Sequence, residues 1–337
     1  GVHDDFFELG GHSLLVIKLV ARINEVFNFN INIVNVFEYP TIAGFLENRS
    51  SKKQTFDTNI LAALQDKGTQ KPIFLAPPGG GFYNCYIDLV KQLGEDQPVY
   101  AFQCPGVDGK LPIAESIEAM ASTFITELQK VDSKGPYRLG GYSFGGVVAY
   151  EMALQLRAKG FEVEELIMFD SSLLDTHTRE MEDEDALFRE FLLEQMEDLL
   201  GEDFNKSIFK LKGKTKAEQL DIVYSLAKEI EAEAIEAEIK GFFEVAFTNE
   251  NYQYFIRDEE KLDAKIILFK AMYMPSEDNK EEVVPNTEYD AYDYDWNRYT
   301  NKEVTIHLIP GTHIDILEPQ HLEKISECIM NRQEAIS

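Results

Sequence analysis

A regular alternation of short β-rich runs with helical stretches constrains the fold of this chain most, and it begins at about residue 58. The β-rich runs are PIFLA (72–76), VYAF (99–102), YRLGGY (137–142), ELIMF (165–169), KIILF (265–269) and VTIHLI (304–309). Helical patterns occupy 114–130, 144–159 and 318–333. Strands that alternate with helices form crossover units. The sequence therefore predicts an α/β fold around a largely parallel sheet.

A small helical module precedes this region. Apolar residues recur at helical spacing over 13–27, behind Ser13, and Pro40-Thr41 is a start signal for a second short helix over 41–48. The next residues, SSKKQTFD, are polar and aperiodic. The sequence thus predicts a helical module (1–49), a linker (50–57) and an α/β domain (58–337).

One segment interrupts the alternation of strands and helices. Residues 177–247 contain several helical patterns and no strand pattern, so we expect an all-helical insertion. Its many Asp and Glu residues are typical of a solvated outer face. Its position between two strands, on the side of the active-site loops, would instead suit a mobile lid.

Composition excludes several classes of function. The chain has 60 acidic residues against 32 Lys and Arg, a net charge of -28, which would repel nucleic acid and anionic lipid surfaces. The three cysteines, Cys85, Cys104 and Cys328, lack metal-ligand spacing and cannot all pair. No apolar run reaches the length of about 18 residues that a spanning helix needs. We expect a reduced, cytoplasmic protein without a metal site.

The strongest chemical signal is Gly141-Tyr142-Ser143-Phe144-Gly145-Gly146, which follows a predicted strand and opens a predicted helix. A serine that is exposed on such a sharp turn needs neighbours without side chains, and glycines on both sides of Ser143 meet that need. The start of the helix would stabilise developing negative charge. The sequence predicts a nucleophile at Ser143; the alternative is a helix cap among packing glycines.

A serine nucleophile needs a base, and the base needs a carboxylate. Among six histidines, His313 alone occupies a loop directly after a predicted strand, as the chain order Ser, Asp, His requires. Asp170 ends the strand ELIMF, whereas Asp278 follows KIILFKAMYMP within a highly charged stretch. We favour Asp170 as the acid, with Asp278 as its rival.

The oxyanion hole should combine two backbone N–H groups. One belongs to Phe144, the residue after the nucleophile, and the other to the loop after the first predicted strand, APPGGGF (76–82). A phosphate-binding loop would continue with Gly-Lys-Ser or Gly-Lys-Thr, which is absent. We expect Gly80 or Gly81 to donate the second N–H.

The helical module contains the segment DDFFELGGHSLL, with Ser13 at a predicted helix start. Read from its residues alone, Ser13 is a helix cap, although the same position suits a covalently attached phosphate. The segment resembles the phosphopantetheine attachment motif of peptidyl carrier domains in nonribosomal peptide synthetases. Residues 58–333, with PPGGGF, GYSFGG, Asp170 and GTHIDIL, resemble the type I thioesterases that terminate such synthetases.

The resemblance implies an α/β-hydrolase fold with a helical lid, preceded by a carrier domain that lacks its first helix. It implies that Ser13 carries 4'-phosphopantetheine, and that Ser143, His313 and Asp170 are nucleophile, base and orienting acid. Such a protein releases an acyl or peptidyl chain by hydrolysis or macrocyclisation. Its expected partners are upstream condensation and adenylation domains and a phosphopantetheinyl transferase. A non-catalytic docking protein and a free-standing esterase are the alternatives.

Overall fold

The computed structural model describes residues 1–6, 9, 19–20, 22–23, 26–27, 36, 39–48, 60–109, 111–172, 185–189, 191–192, 211–228, 236–252, 254, 261–275, 283–285 and 293–330. The chain divides into two compact units. The helical unit comprises Gly1–Lys52, Gly106–Pro112 and Arg179–Thr248, and the sheet unit comprises Lys53–Pro105, Ile113–Thr178 and Asn249–Ser337.

The sheet unit is built on a seven-stranded sheet. The strands of the chain are β1 (Leu61–Gln65), β2 (Ile73–Ala76), β3 (Val99–Phe102), β4 (Tyr137–Tyr142), β5 (Val163–Phe169), β6 (Lys265–Ala271), β7 (Tyr273–Pro275), β8 (Val283–Pro285) and β9 (Val304–Ile309). Their order in the sheet is β1-β3-β2-β4-β5-β6-β9, and β7 pairs separately with β8. All neighbours in the large sheet are parallel except β1 and β3. The predicted, largely parallel sheet is confirmed.

Helices connect most of the parallel strands. The described helices are α1 (Ile42–Asn48), α2 (Ile87–Leu93), α3 (Ile117–Val131), α4 (Phe144–Ala158), α5 (Lys216–Lys228), α6 (Glu236–Asn251) and α7 (Pro319–Met330). The side chain of Ser116 caps α3 by accepting a hydrogen bond from the N–H of Ala119 at 3.2 Å. Because α4 is buried along nearly its whole length, it fixes the position of the residue that precedes it, Ser143.

The core lies along the central strands, which are hydrophobic because both of their faces are covered. Phe74 of β2, Leu139 of β4 and Ile167 of β5 are completely buried. The polypeptide emerges from this rigid layer at the carboxyl ends of the strands. Loops at that edge are the usual place for ligands in open α/β sheets.

The described residues of the predicted insertion form helices and turns and contain no strand. Phe188 packs edge-on against Phe247 with ring centroids 4.9 Å apart, and the ammonium of Lys216 lies 4.9 Å from the Phe247 ring centre. The predicted start of the insertion at residue 177 and the predicted linker at 50–57 lie outside the described residues. The limits of the insertion stay a prediction.

The N-terminal part of the helical unit contributes buried residues to that unit. Its described buried residues are Val20, Val36 and Phe45. The N–H of Phe6 donates to the carbonyl of Pro40 at 2.8 Å, and the N–H of Ala43 donates to the carbonyl of Val2 at 2.9 Å. These bonds hold Val2 and Phe6, at the start of the DDFFELGGHSLL segment, against the start of α1. No described helix is both long and apolar enough to cross a membrane.

Candidate active site

Ser143 lies on a sharp turn between β4 and α4. Its backbone has φ of 54° and ψ of -125°, a conformation that costs free energy for any residue with a side chain. A Cβ on Gly141 would lie 2.1 Å from the carbonyl carbon of Gly145, and a Cβ on Gly145 would lie 2.4 Å from the carbonyl oxygen of Ala76. Glycine is therefore required on both sides, as the sequence predicts.

His313 and Asp170 complete a continuous chain of hydrogen bonds with this serine. His313 Nε2 lies 3.0 Å from Ser143 Oγ, and His313 Nδ1 lies 2.8 Å from Asp170 Oδ2. His313 comes from the loop after β9 and Asp170 from the end of β5. The neutral imidazole can therefore accept the serine proton at Nε2 while the carboxylate holds the proton at Nδ1. The rival acid, Asp278, lies outside the described residues.

The carboxylate of Asp170 is buried, with 6% of the residue exposed, and is held by donors on both oxygens. Oδ1 accepts hydrogen bonds from the Ala271 N–H at 2.8 Å and from the Tyr294 hydroxyl at 2.9 Å. These bonds leave Oδ2 directed at His313. The indole N–H of Trp296 donates to the Ser171 carbonyl at 2.7 Å, so the same segment also anchors the turn that follows Asp170.

Sequence reasoning missed Tyr294, because no local motif surrounds it. Its φ of 52° and that of Asp295, 64°, lie in the left-handed region that disfavours residues with side chains. Such a backbone persists only where its surroundings fix it. Tyr294 is buried, and the ammonium of Lys270 lies 4.1 Å from its ring centre. The local feature that marks Tyr294 is the pair of consecutive residues with left-handed backbone, and this feature is visible only in the structure.

We expect Tyr294→Phe to lower kcat roughly tenfold and to leave KM unchanged, since a hydrogen bond to a charged group is worth about 1.5–3 kcal/mol. The phenyl ring keeps the packing and removes only the donor to Asp170. Steady-state hydrolysis of a chromogenic thioester measures both constants. Tyr150→Phe is the matched control, because the Tyr150 hydroxyl donates to the Tyr299 carbonyl at 2.8 Å. Equal kcat in the two variants would contradict the prediction.

Tyr142, the residue before the nucleophile, supports the histidine loop. Its hydroxyl donates to the carbonyl of His313, and the two rings lie 5.1 Å apart between centroids. Burial raises the pKa of Tyr142, with nearby Cys85, Asp170 and Asp315 adding to the shift. The hydroxyl thus stays protonated and available as a donor. On the other side of the loop, Thr312 Oγ1 donates to Asp315 at 3.1 Å.

The predicted oxyanion loop lies beside the nucleophile turn. The Tyr86 hydroxyl donates to the Ala76 carbonyl at 2.5 Å and accepts from the Tyr142 N–H at 2.8 Å, which ties β2 to β4 at the site. Phe144 is the first residue of α4, so its N–H has no acceptor within the helix. Within the described part of the chain this N–H has no acceptor, and it is the first of the two predicted donors.

The two glycines that the sequence proposes for the second donor differ in the hydrogen bonding of their N–H groups. The N–H of Gly81 donates to the Pro78 carbonyl at 2.8 Å, so it is already occupied within a tight turn, and this part of the prediction needs correction. Among the described residues, the N–H of Gly80 has no acceptor. Pro77 and Pro78 carry no N–H. Gly80 remains the candidate, with Gly79 beside it.

Ser13, the predicted attachment residue, lies outside the described residues, and its role stays a prediction. A serine hydroxyl is the group that a phosphodiester link to phosphopantetheine requires. In the part of the chain that the structure describes, no group of three or more His, Cys, Asp and Glu side chains could hold a metal ion.

The parallel sheet with its antiparallel edge strand, the serine on a tight strand-to-helix turn and the Ser-His-Asp chain define an α/β hydrolase. Residues 71–332 match the family described as "Thioesterase domain", and residues 1–47 match "Phosphopantetheine attachment site". The chain therefore belongs to the thioesterase domain family, preceded by a phosphopantetheine-carrying domain, and is an enzyme of the thioester-hydrolase class. The resemblance found in the sequence is confirmed.

The similar proteins are nonribosomal peptide synthetases. The chain is 38% identical over 171 residues, 51% of its length, to a dimodular nonribosomal peptide synthase of Bacillus subtilis. It is 30% identical over its full length to a probable non-canonical nonribosomal peptide synthetase of Salinispora arenicola. It spans 7% of the first and 4% of the second of these relatives.

A solved structure of a four-domain nonribosomal peptide synthetase, in its holo form with AMP and glycine, covers 100% of this chain. The two share 27% sequence identity and a TM-score of 0.66, and this chain covers 25% of that one. The similarity to that four-domain protein extends over both family matches of this chain.

Proposed function

We propose that this chain releases a finished acyl or peptidyl chain from the thioester on its own carrier domain. In this proposal Ser143 is the nucleophile, His313 the base and Asp170 the acid that orients it, with the N–H groups of Phe144 and Gly80 as the oxyanion hole. The hydrogen-bonded path from Ser143 Oγ to His313 at 3.0 Å and on to Asp170 at 2.8 Å carries the proposal.

The first half-reaction transfers the acyl group to the enzyme. Ser143 Oγ attacks the thioester carbonyl as His313 Nε2 takes the hydroxyl proton, and the carbonyl oxygen becomes an oxyanion that the two N–H groups stabilise. The intermediate then expels the thiolate, which takes the proton from His313. The products are an ester on Ser143 and a free thiol. Phosphopantetheine on Ser13 supplies that thiol.

The second half-reaction breaks the ester. Water, or an amine or hydroxyl of the acyl chain itself, attacks the ester carbonyl while His313 accepts its proton. The proton then passes to Ser143 Oγ as the C–O bond breaks. Attack by water gives a free acid, and internal attack gives a ring with one water fewer. Upstream synthetase domains would supply the chain, and a phosphopantetheinyl transferase would modify Ser13.

Placing the carrier and the hydrolase on one polypeptide makes the transfer intramolecular. A short flexible linker gives an effective concentration in the range of about 1 mM. The polar residues 50–57 suit such a linker. Tethering therefore favours the chain's own carrier over free thioesters.

The test loads a candidate acyl chain onto the purified protein with a phosphopantetheinyl transferase and the acyl-coenzyme A. Intact-protein and peptide mass spectrometry should find the acyl group first on Ser13 and then on Ser143. In Ser143→Ala the acyl group should remain on the carrier, and Ser13→Ala should gain no mass. The mass of the released product distinguishes hydrolysis from cyclisation.

Two other outcomes would overturn the proposal. A wild-type protein that keeps its acyl group on Ser13 indefinitely would be a docking protein on an inactive scaffold. A protein that hydrolyses small esters through Ser143 but is never modified at Ser13 would be a free-standing esterase.

A further inference from the structure

One turn of chain, residues 249–252 at the end of α6, contacts both halves of the proposed oxyanion hole. Asn249 is 4% exposed, and its Nδ2 donates to the Gly79 carbonyl at 2.8 Å. The ring of Tyr252 stacks on that of Phe144 with centroids 6.1 Å apart and planes inclined by 16°. All four residues belong to the sheet unit. No sequence pattern identified either contact.

The bond from Asn249 fixes the direction of a specific N–H group. The carbonyl of Gly79 and the N–H of Gly80 belong to one planar peptide unit and point in opposite directions. Holding the carbonyl on Asn249 therefore aims the Gly80 N–H away from Asn249. The turn is closed by the bond from the Gly81 N–H to the Pro78 carbonyl and is held from outside by the Cys104 N–H on the Gly81 carbonyl. Neither bond involves the central Gly79–Gly80 peptide, and glycine backbone rotates easily, so this peptide depends on Asn249 for one orientation.

An asparagine at position 249 would lower the stability of the fold if its only role were packing. Among the described residues its Oδ1 is buried without a hydrogen-bond partner, a condition that costs about 1–3 kcal/mol. Turning the amide over would bring Oδ1 against the Gly79 carbonyl oxygen, so the donor must face Gly79. An apolar side chain of the same shape would avoid the cost but lose the bond to the loop.

Tyr252 restrains the other donor. Its hydroxyl donates to the Ala114 carbonyl, and burial raises its pKa, with Cys104 adding to the shift. The hydroxyl thus stays protonated, and the ring stays against Phe144. Because Phe144 carries the first proposed N–H, packing on its ring limits movement at the start of α4.

We propose that Asn249 is a positioning residue of the oxyanion hole, which acts by locking the Gly79–Gly80 peptide, and that Tyr252 steadies Phe144 from the same turn. This inference rests on the proposed function, since it gives the Gly80 N–H a role in the reaction. Asn249 itself touches neither substrate nor the reacting atoms.

The test compares Asn249→Leu and Asn249→Asp with the wild-type full chain in the hydrolysis of p-nitrophenyl hexanoate. Losing an aligned oxyanion donor costs about 10²–10³-fold in kcat. We expect Asn249→Leu, which misaligns the donor without removing it, to lose about 10–100-fold in kcat with little change in KM. Thr300→Val is the matched control, because Thr300 is also buried and its Oγ1 donates to the Ala264 carbonyl at 2.7 Å.

The aspartate variant gives a readout that a packing role would not produce. An ionised carboxylate repels the Gly79 carbonyl, whereas a protonated one can donate to it. Burial raises the pKa of a carboxyl group. We therefore expect the ratio of Asn249→Asp activity to wild-type activity to rise several-fold between about pH 8 and about pH 6.

A fluorophosphonate probe separates failure of the inference from failure of the proposed function. If the wild type neither labels at Ser143 nor hydrolyses the ester, the proposed function fails and the inference falls with it. If the wild type is active while Asn249→Leu keeps kcat within twofold, or the Asn249→Asp ratio is flat with pH, the inference alone is overturned. Thermal unfolding shows that each variant is folded when it is assayed.

Discussion

Replacing either Ser143 or His313 with Ala should lower kcat for product release by about 10⁶-fold, because these two groups make and break the same bonds. Alanine at position 143 removes the oxygen that becomes the ester, and alanine at position 313 removes the only acceptor within 3.0 Å of that oxygen among the described residues. Single-turnover release from the acylated carrier, followed by mass spectrometry, measures the loss.

The double variant sharpens this prediction. Groups that act as one unit lose activity non-additively, so Ser143→Ala combined with His313→Ala should be no slower than either single variant. A remaining acceleration of about 10³-fold over the uncatalysed reaction would reflect the oxyanion hole and substrate binding. Losses that multiply in the double variant, or a single variant with more than about a tenth of wild-type kcat, would contradict a shared mechanism.

The sheet was predictable because most central strands contain a hydrophobic run, such as IFLA in β2, LIMF in β5 and IILF in β6, although β4 contains Arg138. Predicted strands at 99–102, 137–142 and 304–309 have the bounds of β3, β4 and β9. Two predicted strands are too short: β5 begins at Val163, and β6 continues to Ala271. The residues missing from these predictions flank the hydrophobic runs. They become part of the strands because they pair with neighbouring strands, and the sequence pattern of one strand carries no information about that pairing.

The strand β1 was missed, as was the small β7–β8 pair. β1 lies at the edge of the sheet, pairs with β3 alone and does so antiparallel, with an irregular register near Ala63. An edge strand is only half covered, so its sequence, LAALQ, needs no continuous hydrophobic run. It therefore resembles a helix or loop as much as a strand.

The residues of the candidate site likewise divide into those that the sequence predicts and those that it does not. Ser143, Asp170 and His313 were predictable because each directly follows a strand, and the carboxyl ends of parallel strands share one edge of the sheet. Tyr294 and Asn249 were not, because neither directly follows a strand of the large sheet: Tyr294 lies between β8 and β9, and Asn249 lies near the end of α6. Their contacts depend on loop conformation, which short motifs do not encode.

Replacing Asp170 with Asn should lower kcat by about 10⁴-fold near neutral pH, although the shape of the side chain is preserved. The reason lies in the donors that already surround this group. The Ala271 N–H and the Tyr294 hydroxyl both donate to Oδ1, so the amide oxygen of the asparagine would take that place. Its NH₂ group would then face His313.

An NH₂ group at that position reverses the role of the imidazole. It donates to Nδ1, which moves the proton of the neutral ring to Nε2, the nitrogen 3.0 Å from Ser143 Oγ. A protonated Nε2 donates to the serine and cannot accept its proton. The variant should therefore fold and bind substrate with KM close to wild type, while acylation of Ser143 measured by rapid quench becomes rate-limiting.

Asp88→Asn is the matched control, since Asp88 is an exposed carboxylate that pairs with Lys91 at 2.6 Å on α2, and we expect it to leave kcat unchanged. If Asp170→Asn also stayed within about tenfold of wild type, the carboxylate that fixes the tautomer would have to be another one, and Asp278 would be the residue to replace next. If Asp170→Asn instead loses much of its kcat and Tyr294→Phe loses part of it, the two residues act together. The Tyr294 hydroxyl then orients the Asp170 carboxylate, and the carboxylate orients His313 through Nδ1.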